Sequence, residues 1–396
     1  MTATTAVAPP PAPAATGSAA PRTSAGHLSV EDVEAIGLEL DALRERILAS
    51  RGAADAAYIR RVIAVQRRLE LGARVVLLAG RWRPAWVLGT AALALAKILD
   101  NMEIGHNVLH GQWDWMRDPT IHSSTWDWDH ASPPQQWQRS HNQTHHKFTN
   151  IVGQDNDLGY GILRVTEEQP WEPRHLVQPF WNLMTACIFE WGIAMYDADV
   201  GAALRGGEGF PSEVRGRVRQ ALGKAGKQAA KDYLVHPALA GRGWRSTLTA
   251  DLTANLVRNL WSHSVIMCGH FPEGVETFEQ DSIDPDETGG QWYLRQMLGS
   301  ADISGSPLLH LLTGNLSHQI EHHLFPDLPS NRYGEIARHV EDIFERYGLR
   351  YHSRSFPRQL GSAWHRVVRL SLPNGWLEQT GRHNLGRQLA GLFRSS

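Results

Sequence analysis

The 396-residue chain is poor in cysteine, in net charge and in long apolar runs. Cys187 and Cys268 are its only cysteines, so neither a disulfide framework nor a four-thiolate metal site can form, and a reducing compartment is predicted. The 39 Lys and Arg residues nearly balance 41 Asp and Glu residues, which leaves a net charge of −2. This balance excludes general electrostatic attraction to nucleic acid, and no nucleic-acid partner is predicted.

Apolar runs are also scarce. A helix that crosses a bilayer needs about 20 consecutive, mostly apolar residues, whereas only 42% of this chain is apolar and its mean hydropathy is −0.34. The best candidates are residues 84–99, 176–196 and 252–271, and each contains charged or amide side chains. On hydropathy alone, these segments favour buried or interfacial helices over membrane-spanning ones.

The pattern that remains is helical. Residues 1–27 are rich in Ala and Pro and contain no apolar block, which predicts a disordered tail and no secretory signal. N-terminal helices are predicted over 28–83, with Ser29 as the first N-cap and with Glu31 and Asp32 in the first turn, where the helix dipole favours them. No alternating pattern bounded by hairpin turns stands out, so the predicted fold class is mainly α.

Histidine is the residue in excess, with 20 in the chain. His106 and His110 are four residues apart, a spacing that places both rings on one helix face. Two further clusters repeat the spacing H-x3-HH and consist of His141, His145 and His146, and of His318, His322 and His323. Neutral imidazole suits Fe, Zn, Cu and Ni, and eight rings are too many for one ion. The clusters therefore predict two metals, with redox-active iron favoured because both cysteines lie elsewhere.

A competing constellation is the Glu-x-x-His motif of soluble di-iron bundles. The chain contains it twice, at Glu103 to His106 and at Glu172 to His175, but Pro173 disfavours a helix in the second copy. This alternative also leaves the second and third histidine clusters unexplained. No zincin motif, nucleophile elbow, P-loop or dinucleotide fingerprint stands out, so hydrolase and NTPase functions have no local support.

The three clusters, in this order and with a long gap before the third, resemble the histidine boxes of the membrane fatty acid desaturases. The sequence HQIEHHLFP at 318–326 is similar to the third box of the acyl-CoA and front-end branch, and HNQTHHKFTNIVGQDND at 141–157 is similar to its second box. We interpret 84–350 as the desaturase domain and 351–396 as a C-terminal tail or cap segment. Related membrane hydroxylases and carotenoid ketolases also carry three boxes, but the third box here is more desaturase-like.

The resemblance implies a fold and a location. It implies an integral-membrane helical bundle of about four transmembrane helices, with a cytosolic helical cap that holds two non-haem irons. A multi-pass membrane protein, in contact with membrane lipid and with its active site on the cytoplasmic side, is expected.

The resemblance also implies a ligand set. Besides the box histidines, a histidine from a helix between the second and third boxes is expected, and His270 or His263 can fill this role. In the branch, Gln stands at position 319 and an aromatic residue at 318, so His318 and Gln319 are alternatives. The predicted metal ligands are His106, His110, His141, His145, His146, His270, His318, His322 and His323. Further candidates, for the metals or for the groups around their ligands, are His263, Asn259, Gln319, Asp155 and Asp157.

The implied activity is the O2-dependent insertion of a cis double bond into a fatty acyl chain carried by CoA or lipid. A separate electron donor is expected, such as a ferredoxin, a reductase or a cytochrome b5-like protein, because no His-Pro-Gly-Gly haem motif is fused to the chain. The basic stretch 215–231 is a candidate dock for that donor. Two alternatives are a lipid or carotenoid hydroxylase or ketolase on the same scaffold, and a metal-binding membrane protein without turnover.

Overall fold

A computed structural model describes residues 24–155, 157–206, 210–284 and 286–376. The prediction of a mainly α fold is confirmed, because helices carry most of this path and the named strands found along it have only three residues each. Residues 1–23 of the predicted tail and residues 377–396 of the predicted C-terminal segment lie outside the described residues.

The N-terminal helices begin where their capping residues predict. The Ser29 hydroxyl accepts a hydrogen bond from the backbone N–H of Asp32 at 3.1 Å, and the Asp32 carboxylate accepts one from the N–H of Ser29 at 2.9 Å. This reciprocal pair satisfies two N–H groups that the first helical turn leaves without partners. The first three helices are α1 (Val30–Ser50), α2 (Ala53–Leu77) and α3 (Arg83–Leu99).

Wide helical turns carry the first two histidine boxes. Helix α3 runs directly into a π-helical stretch, Asp100–His106, and then into α4 (Asn107–Leu109). The second box repeats this arrangement, with α5 (Pro134–Trp137), a π-helical stretch at Gln138–His145 and α6 (His146–Phe148). A π turn contains more residues than an α turn, so histidines four apart lie above one another even more directly, and such turns are frequent at functional sites.

The middle of the chain is broken into shorter helices. The predicted continuous segment 176–196 bends at Ile188, whose φ of −116° and ψ of 29° are not helical. The helices of this region are α7 (Gln178–Cys187), α8 (Phe189–Asp197), α9 (Val200–Gly206), α10 (Ser212–Ala230), a π-helical stretch at Lys231–Val235, and α11 (His236–Leu239).

The longest helix, α12 (Trp244–His270), packs against α3, α7, α8 and the last helix. Beyond it, two short strands pair in parallel, with Asp302 opposite Ser353, and so join the approach to the third box to the C-terminal part of the described chain. These elements are α13 (Gly289–Leu298), β1 (Asp302–Ser304), α14 (Pro307–Leu312), α15 (Gln319–Leu324), α16 (Tyr333–Arg346), β2 (Ser353–Ser355) and α17 (Phe356–Arg369). The 3-10 turns are Asp114–Met116, Leu158–Gly161, Pro173–Val177, Gly241–Gly243, Gln280–Ser282 and Ser330–Arg332.

The largest apolar core holds the third box in place. Ile36 and Leu40 of α1 pack in the same cluster as Ile320 and Phe325 at α15 and Phe344 of α16. All five side chains are at most 1% exposed. Burying one such side chain contributes about 1.5–3 kcal/mol, so this cluster fixes α15, and with it the third box, against the N-terminal helix.

Among the described residues, length and apolarity do not identify the transmembrane helices that the resemblance implies. Within the described ranges, none of the helices combines enough length with enough apolar side chains to cross a bilayer. Helix α12 is long enough, but Asp251, Asn255 and Arg258 lie on it and are buried inside the bundle.

Candidate metal centre

Eight of the predicted histidines converge inside the bundle. One group contains His106, His110, His141 and His322, and a second contains His145, His270 and His323, with the nearest ring nitrogens of each group all within 4.8 Å of one another. His146 lies between the groups, with its ring centroid 4.8 Å from that of His322 and 4.4 Å from that of His323. All eight side chains are buried. Residues more than 200 positions apart therefore share one pocket.

Four helical segments bring these rings together. His106 and His110 follow the end of α3, and the second box supplies its three rings from its π-helical stretch and α6. His270 is the last residue of α12, and the third box supplies its pair from the short helix α15. In the tightest contact, the Nε2 atoms of His106 and His322 are 3.2 Å apart. Two metal-bound imidazoles at about 2.1 Å from one ion would place their nitrogens at a similar separation.

The centre contains buried nitrogens that no protein group satisfies. The unpartnered atoms are Nε2 of His110, His141, His145 and His323, Nδ1 of His270, and both ring nitrogens of His146. A buried polar atom without a partner costs about 1–3 kcal/mol, and such a concentration at one place calls for a bound species. A pair of transition-metal ions satisfies these lone pairs, so the residues present fit the two irons that the resemblance implies.

Most of these imidazoles are kept neutral, the form that binds metal. Burial lowers the pKa of His106 to about 3, and burial together with neighbouring imidazoles lowers the pKa of His110 and His322 well below the usual value. His145 is the exception. Burial opposes its charge, but the Asp155 and Asp157 carboxylates outweigh burial and raise its pKa to about 9.

A second layer of residues orients the rings through Nδ1. The Asp155 carboxylate lies 3.0 Å from Nδ1 of His145, and the Asp157 carboxylate lies 3.4 Å from Nδ1 of His141. Both contacts have the geometry that the orienting role requires. Hydrogen bonds of this kind fix the tautomer and turn Nε2 toward a metal.

Two further orienting residues lie outside the sequence motifs. The Tyr333 hydroxyl lies 3.2 Å from Nδ1 of His322, and Oε1 of Gln296 lies 3.2 Å from Nδ1 of His323. Neither belongs to a histidine box, and only the fold brings α13 and α16 beside α15. The pattern that could have pointed to Tyr333 and Gln296 is a buried polar residue on a helix that flanks the third box.

The structure places His318 outside both histidine groups. It precedes α15 with a φ of −103° and a ψ of 61°, so it does not continue the helix face that carries His322. Its ring stacks on His310 at a centroid distance of 4.6 Å. Gln319 takes the inner position instead, three residues before His322, with Nε2 3.1 Å from Nε2 of His270.

His263 and Asn259 also lie outside the centre. Nε2 of His263 is 3.0 Å from Oδ1 of Asn182, and Oδ1 of Asn259 accepts a hydrogen bond from Nε of Arg258 at 3.0 Å. Seven residues separate His263 from His270, or about 10 Å along a helix. The two side chains share a helix face, but only His270 reaches the pocket.

The alternative Glu-x-x-His scheme does not describe this pocket. The Glu103 carboxylate accepts hydrogen bonds from Tyr58 at 2.8 Å, Ser330 at 2.7 Å and Asn315 at 2.8 Å. Burial raises the pKa of Glu103 to about 7. Its carboxylate is thus engaged with these three side chains, whereas the ring of His106 joins the histidine groups.

A narrow cavity of about 60 Å³ opens against the histidines, with His106, His141 and His270 in its wall. The rest of its wall combines aromatic and aliphatic side chains with polar ones. The first set is Met102, Trp128, Trp137, Tyr160, Phe189, Ile193, Tyr196 and Ile266, and the second is Asn101, His130, Ser140, Asp157, Asp197 and Ser262. Its volume fits only a short part of an alkyl chain, which the apolar side chains of the wall could contact beside the histidines.

Asp155→Asn is expected to weaken iron binding by about 10–100-fold, because an amide no longer stabilises the His145 tautomer that presents Nε2. Iron retained after dialysis against graded chelator concentrations measures this change. Asp251→Asn is the matched control, since Asp251 pairs with His236 at 2.8 Å outside the centre and is equally buried. Equal iron retention in the two variants would contradict the orienting role of Asp155.

Comparison with known proteins agrees with this geometry. Residues 81–355 match the family described as fatty acid desaturase. The chain is 49% identical over 355 residues to an NADPH-dependent stearoyl-CoA 9-desaturase of Mycobacterium tuberculosis, covering 89% of this chain and 83% of that protein. It is 25% identical over 283 residues to an sn-1 linoleoyl-lipid 6-desaturase of Synechocystis, covering 68% of this chain and 75% of that protein. The prediction of a desaturase-type oxidoreductase, made from three histidine boxes, is confirmed, and the chain belongs to the fatty acid desaturase family.

Proposed function

We propose that the protein is an acyl-CoA desaturase that uses O2, two electrons and a pair of irons to place a cis double bond in a saturated acyl chain. The convergence of eight buried imidazoles, with unpartnered nitrogens, beside an apolar cavity carries this proposal. Position 9 of a stearoyl-class chain is proposed because the relative at 49% identity is named a stearoyl-CoA 9-desaturase.

The two histidine groups divide the ligands between two irons. His106, His110, His141 and His322 would hold one iron, and His145, His270 and His323 the other. His146 lies within reach of both groups, and the Gln319 side chain faces the second. When bound, the iron pair supplies the oxidising power to break two unactivated C–H bonds, which no side-chain base can deprotonate.

The protein itself would position the acyl chain and exclude water from it. Trp128, Trp137 and Phe189 line the cavity beside the histidines, where they would contact the acyl chain and keep bulk water away. The orienting carboxylates keep Nε2 of His141 and His145 directed inward. The depth to which the acyl chain enters the cavity would then determine the position of the double bond in the product.

Product analysis tests this activity. The purified, iron-loaded protein is supplied with stearoyl-CoA, NADPH, a competent reductase and O2, and mass spectrometry locates any new double bond. An alkene at carbon 9 without inserted oxygen is expected. A hydroxylated or keto product would favour the hydroxylase or ketolase alternative, and unchanged substrate with intact iron would favour a metal-binding protein without turnover.

Ile193→Trp is expected to reduce kcat/KM for stearoyl-CoA by at least about tenfold, the effect of one misplaced methylene group in an apolar pocket. Ile193 lines the cavity and is not itself a predicted iron ligand, so iron content should stay constant. Ile162→Trp is the control, because Ile162 is 45% exposed and lies outside the cavity wall. If both variants had the same kcat/KM, the cavity would not be the acyl-binding site.

A reductase is the proposed electron donor, since the M. tuberculosis relative is named NADPH-dependent. The basic stretch 215–231 offers an electron donor less unpaired positive charge than its sequence suggests. Arg217 pairs with Asp199 at 2.7 Å, Lys231 pairs with Asp129 at 2.9 Å, and Lys224 pairs with Asp127. Much of its positive charge is therefore balanced by the protein's own carboxylates.

Membrane attachment, with the active site on the cytoplasmic side, is also part of the proposal. Large apolar side chains are exposed along α2, α3, α7 and α12, and a surface of this kind favours contact with lipid. Its members include Leu71, Val75, Trp82, Val87, Leu88, Phe180, Trp181, Leu183, Leu252, Leu256 and Val257. Retention in the membrane fraction after an alkaline carbonate wash is expected, and release into the wash would contradict it.

A further inference from the structure

A second cluster of metal-binding side chains lies beside the histidine centre and takes no part in it. Asp302 begins β1, His318 precedes α15 and Glu321 lies on α15. Nδ1 of His318 is 3.5 Å from Oδ2 of Asp302 and 3.9 Å from Oε2 of Glu321, and the three ligand atoms lie within 4.8 Å of one another. Each residue thus turns one donor atom toward a common point.

Three of the four carboxylate oxygens of this cluster have hydrogen-bond partners. Oδ1 of Asp302 accepts a hydrogen bond from the N–H of Ile320 at 3.0 Å, and the Tyr351 hydroxyl lies 2.5 Å from Oδ2 of Asp302 and 3.0 Å from Oε1 of Glu321. Oε2 of Glu321 has no hydrogen-bond partner, although the residue is 0% exposed. An unpartnered carboxylate oxygen inside the protein, near an imidazole and a second carboxylate, is suited to bind a cation.

Charge balance supports the same conclusion. Asp302 and Glu321 are both buried, and along the described chain no Lys or Arg lies within 4.0 Å of either carboxylate. His318 is the basic side chain that approaches them. Burying two carboxylates beside each other is costly unless a cation or a shared proton balances them, and a divalent cation would balance both charges.

We propose that Asp302, His318 and Glu321 bind one divalent metal ion of the zinc class, separate from the two proposed irons. One imidazole and two carboxylates are a donor set that Zn²⁺ uses, at about 2.0–2.2 Å from the ion. Tetrahedral ligands at that distance are about 3.4 Å apart, close to the 3.5 and 3.9 Å found here. Small side-chain shifts complete the site, with water as the remaining ligand.

The site has a structural role in this proposal. Glu321 and His322 are neighbours on α15, and they point to different metals. The ion would therefore join α15 to β1 on a different face of the helix from the histidine groups. It would hold the third box in position without contacting the acyl chain, whose cavity wall contains none of the three residues.

Metal analysis of the whole purified protein tests the proposal. The iron-loaded chain is incubated with Zn²⁺ and dialysed, and both metals are quantified by mass spectrometry. Wild type should retain one zinc per chain in addition to its iron, and the zinc X-ray absorption spectrum should show one nitrogen ligand of imidazole type among oxygens. His318→Ala and Glu321→Gln should lose this zinc while circular dichroism shows that they remain folded.

His310→Ala is the matched control, because its ring stacks on His318 but its nitrogens bond to Ser317 and to the backbone of Gly305. It should retain zinc. Absence of zinc from wild type would overturn the proposal and leave a proton shared between the two carboxyl groups. Zinc retained by His318→Ala, a spectrum dominated by imidazole, or equal loss from His310→Ala would overturn it as well.

Discussion

His270→Ala is expected to abolish measurable desaturation and to remove iron from the centre. His270 ends α12, and its ring centroid lies 4.8 Å from those of His145 and His323. Loss of this imidazole leaves the second group with two histidines. Changing a residue that only orients a metal ligand weakens metal binding by about 10–100-fold, so loss of a ligand itself should exceed that range.

His263→Ala provides the comparison on the same helix. Its ring contacts Asn182 and packs edge-on against Phe189, and it does not belong to either histidine group. Iron content should remain at the wild-type level, and activity should persist. Iron measured per chain, together with turnover of stearoyl-CoA, separates the two variants. If His263→Ala lost iron while His270→Ala kept it, the assignment of the second group would be wrong.

Most histidines of the pocket could be predicted from the sequence, because the spacing within a box determines which helix face its side chains share. Histidines four residues apart share a face in any helical stretch, so His106 with His110 and His141 with His145 are placed correctly even though the turns are π-helical. The third box is different. Its helix starts only at Gln319, so the H-x3-HH spacing that includes His318 crosses a helix boundary and does not describe one face.

Other parts of the site depend on long-range packing that no spacing encodes. Tyr333 reaches His322 because α16 packs on α15, and Asp302 reaches His318 because β1 lies against the start of α15. Likewise, the polar residues that weaken the apolar runs satisfy one another inside the bundle. Lys97, for example, lies on the most apolar candidate segment and is 1% exposed, yet it contacts Asp129 at 2.7 Å and Asp232 at 2.8 Å.

The largest effect on stability is expected from Glu190→Leu. Glu190 and Arg258 form an ion pair between α8 and α12, with side chains 3% and 1% exposed. Removing one partner leaves the other charge buried without compensation, which costs about 3–5 kcal/mol in the free energy of unfolding. Asn101 and Asn255 also accept hydrogen bonds from Arg258, at 2.8 and 3.1 Å, and this places the expected loss near the lower value.

A paired substitution separates the charge effect from packing. The double variant Glu190→Leu with Arg258→Met should be markedly more stable than Glu190→Leu alone, because no buried charge is then left unpaired. Glu172→Leu, at the exposed pair with Arg174, is the surface control and should change stability by less than about 1 kcal/mol. Unfolding of the purified protein, followed by circular dichroism in denaturant, measures all three. A double variant as unstable as the single one would show that the loss of stability does not come from an unpaired charge on Arg258.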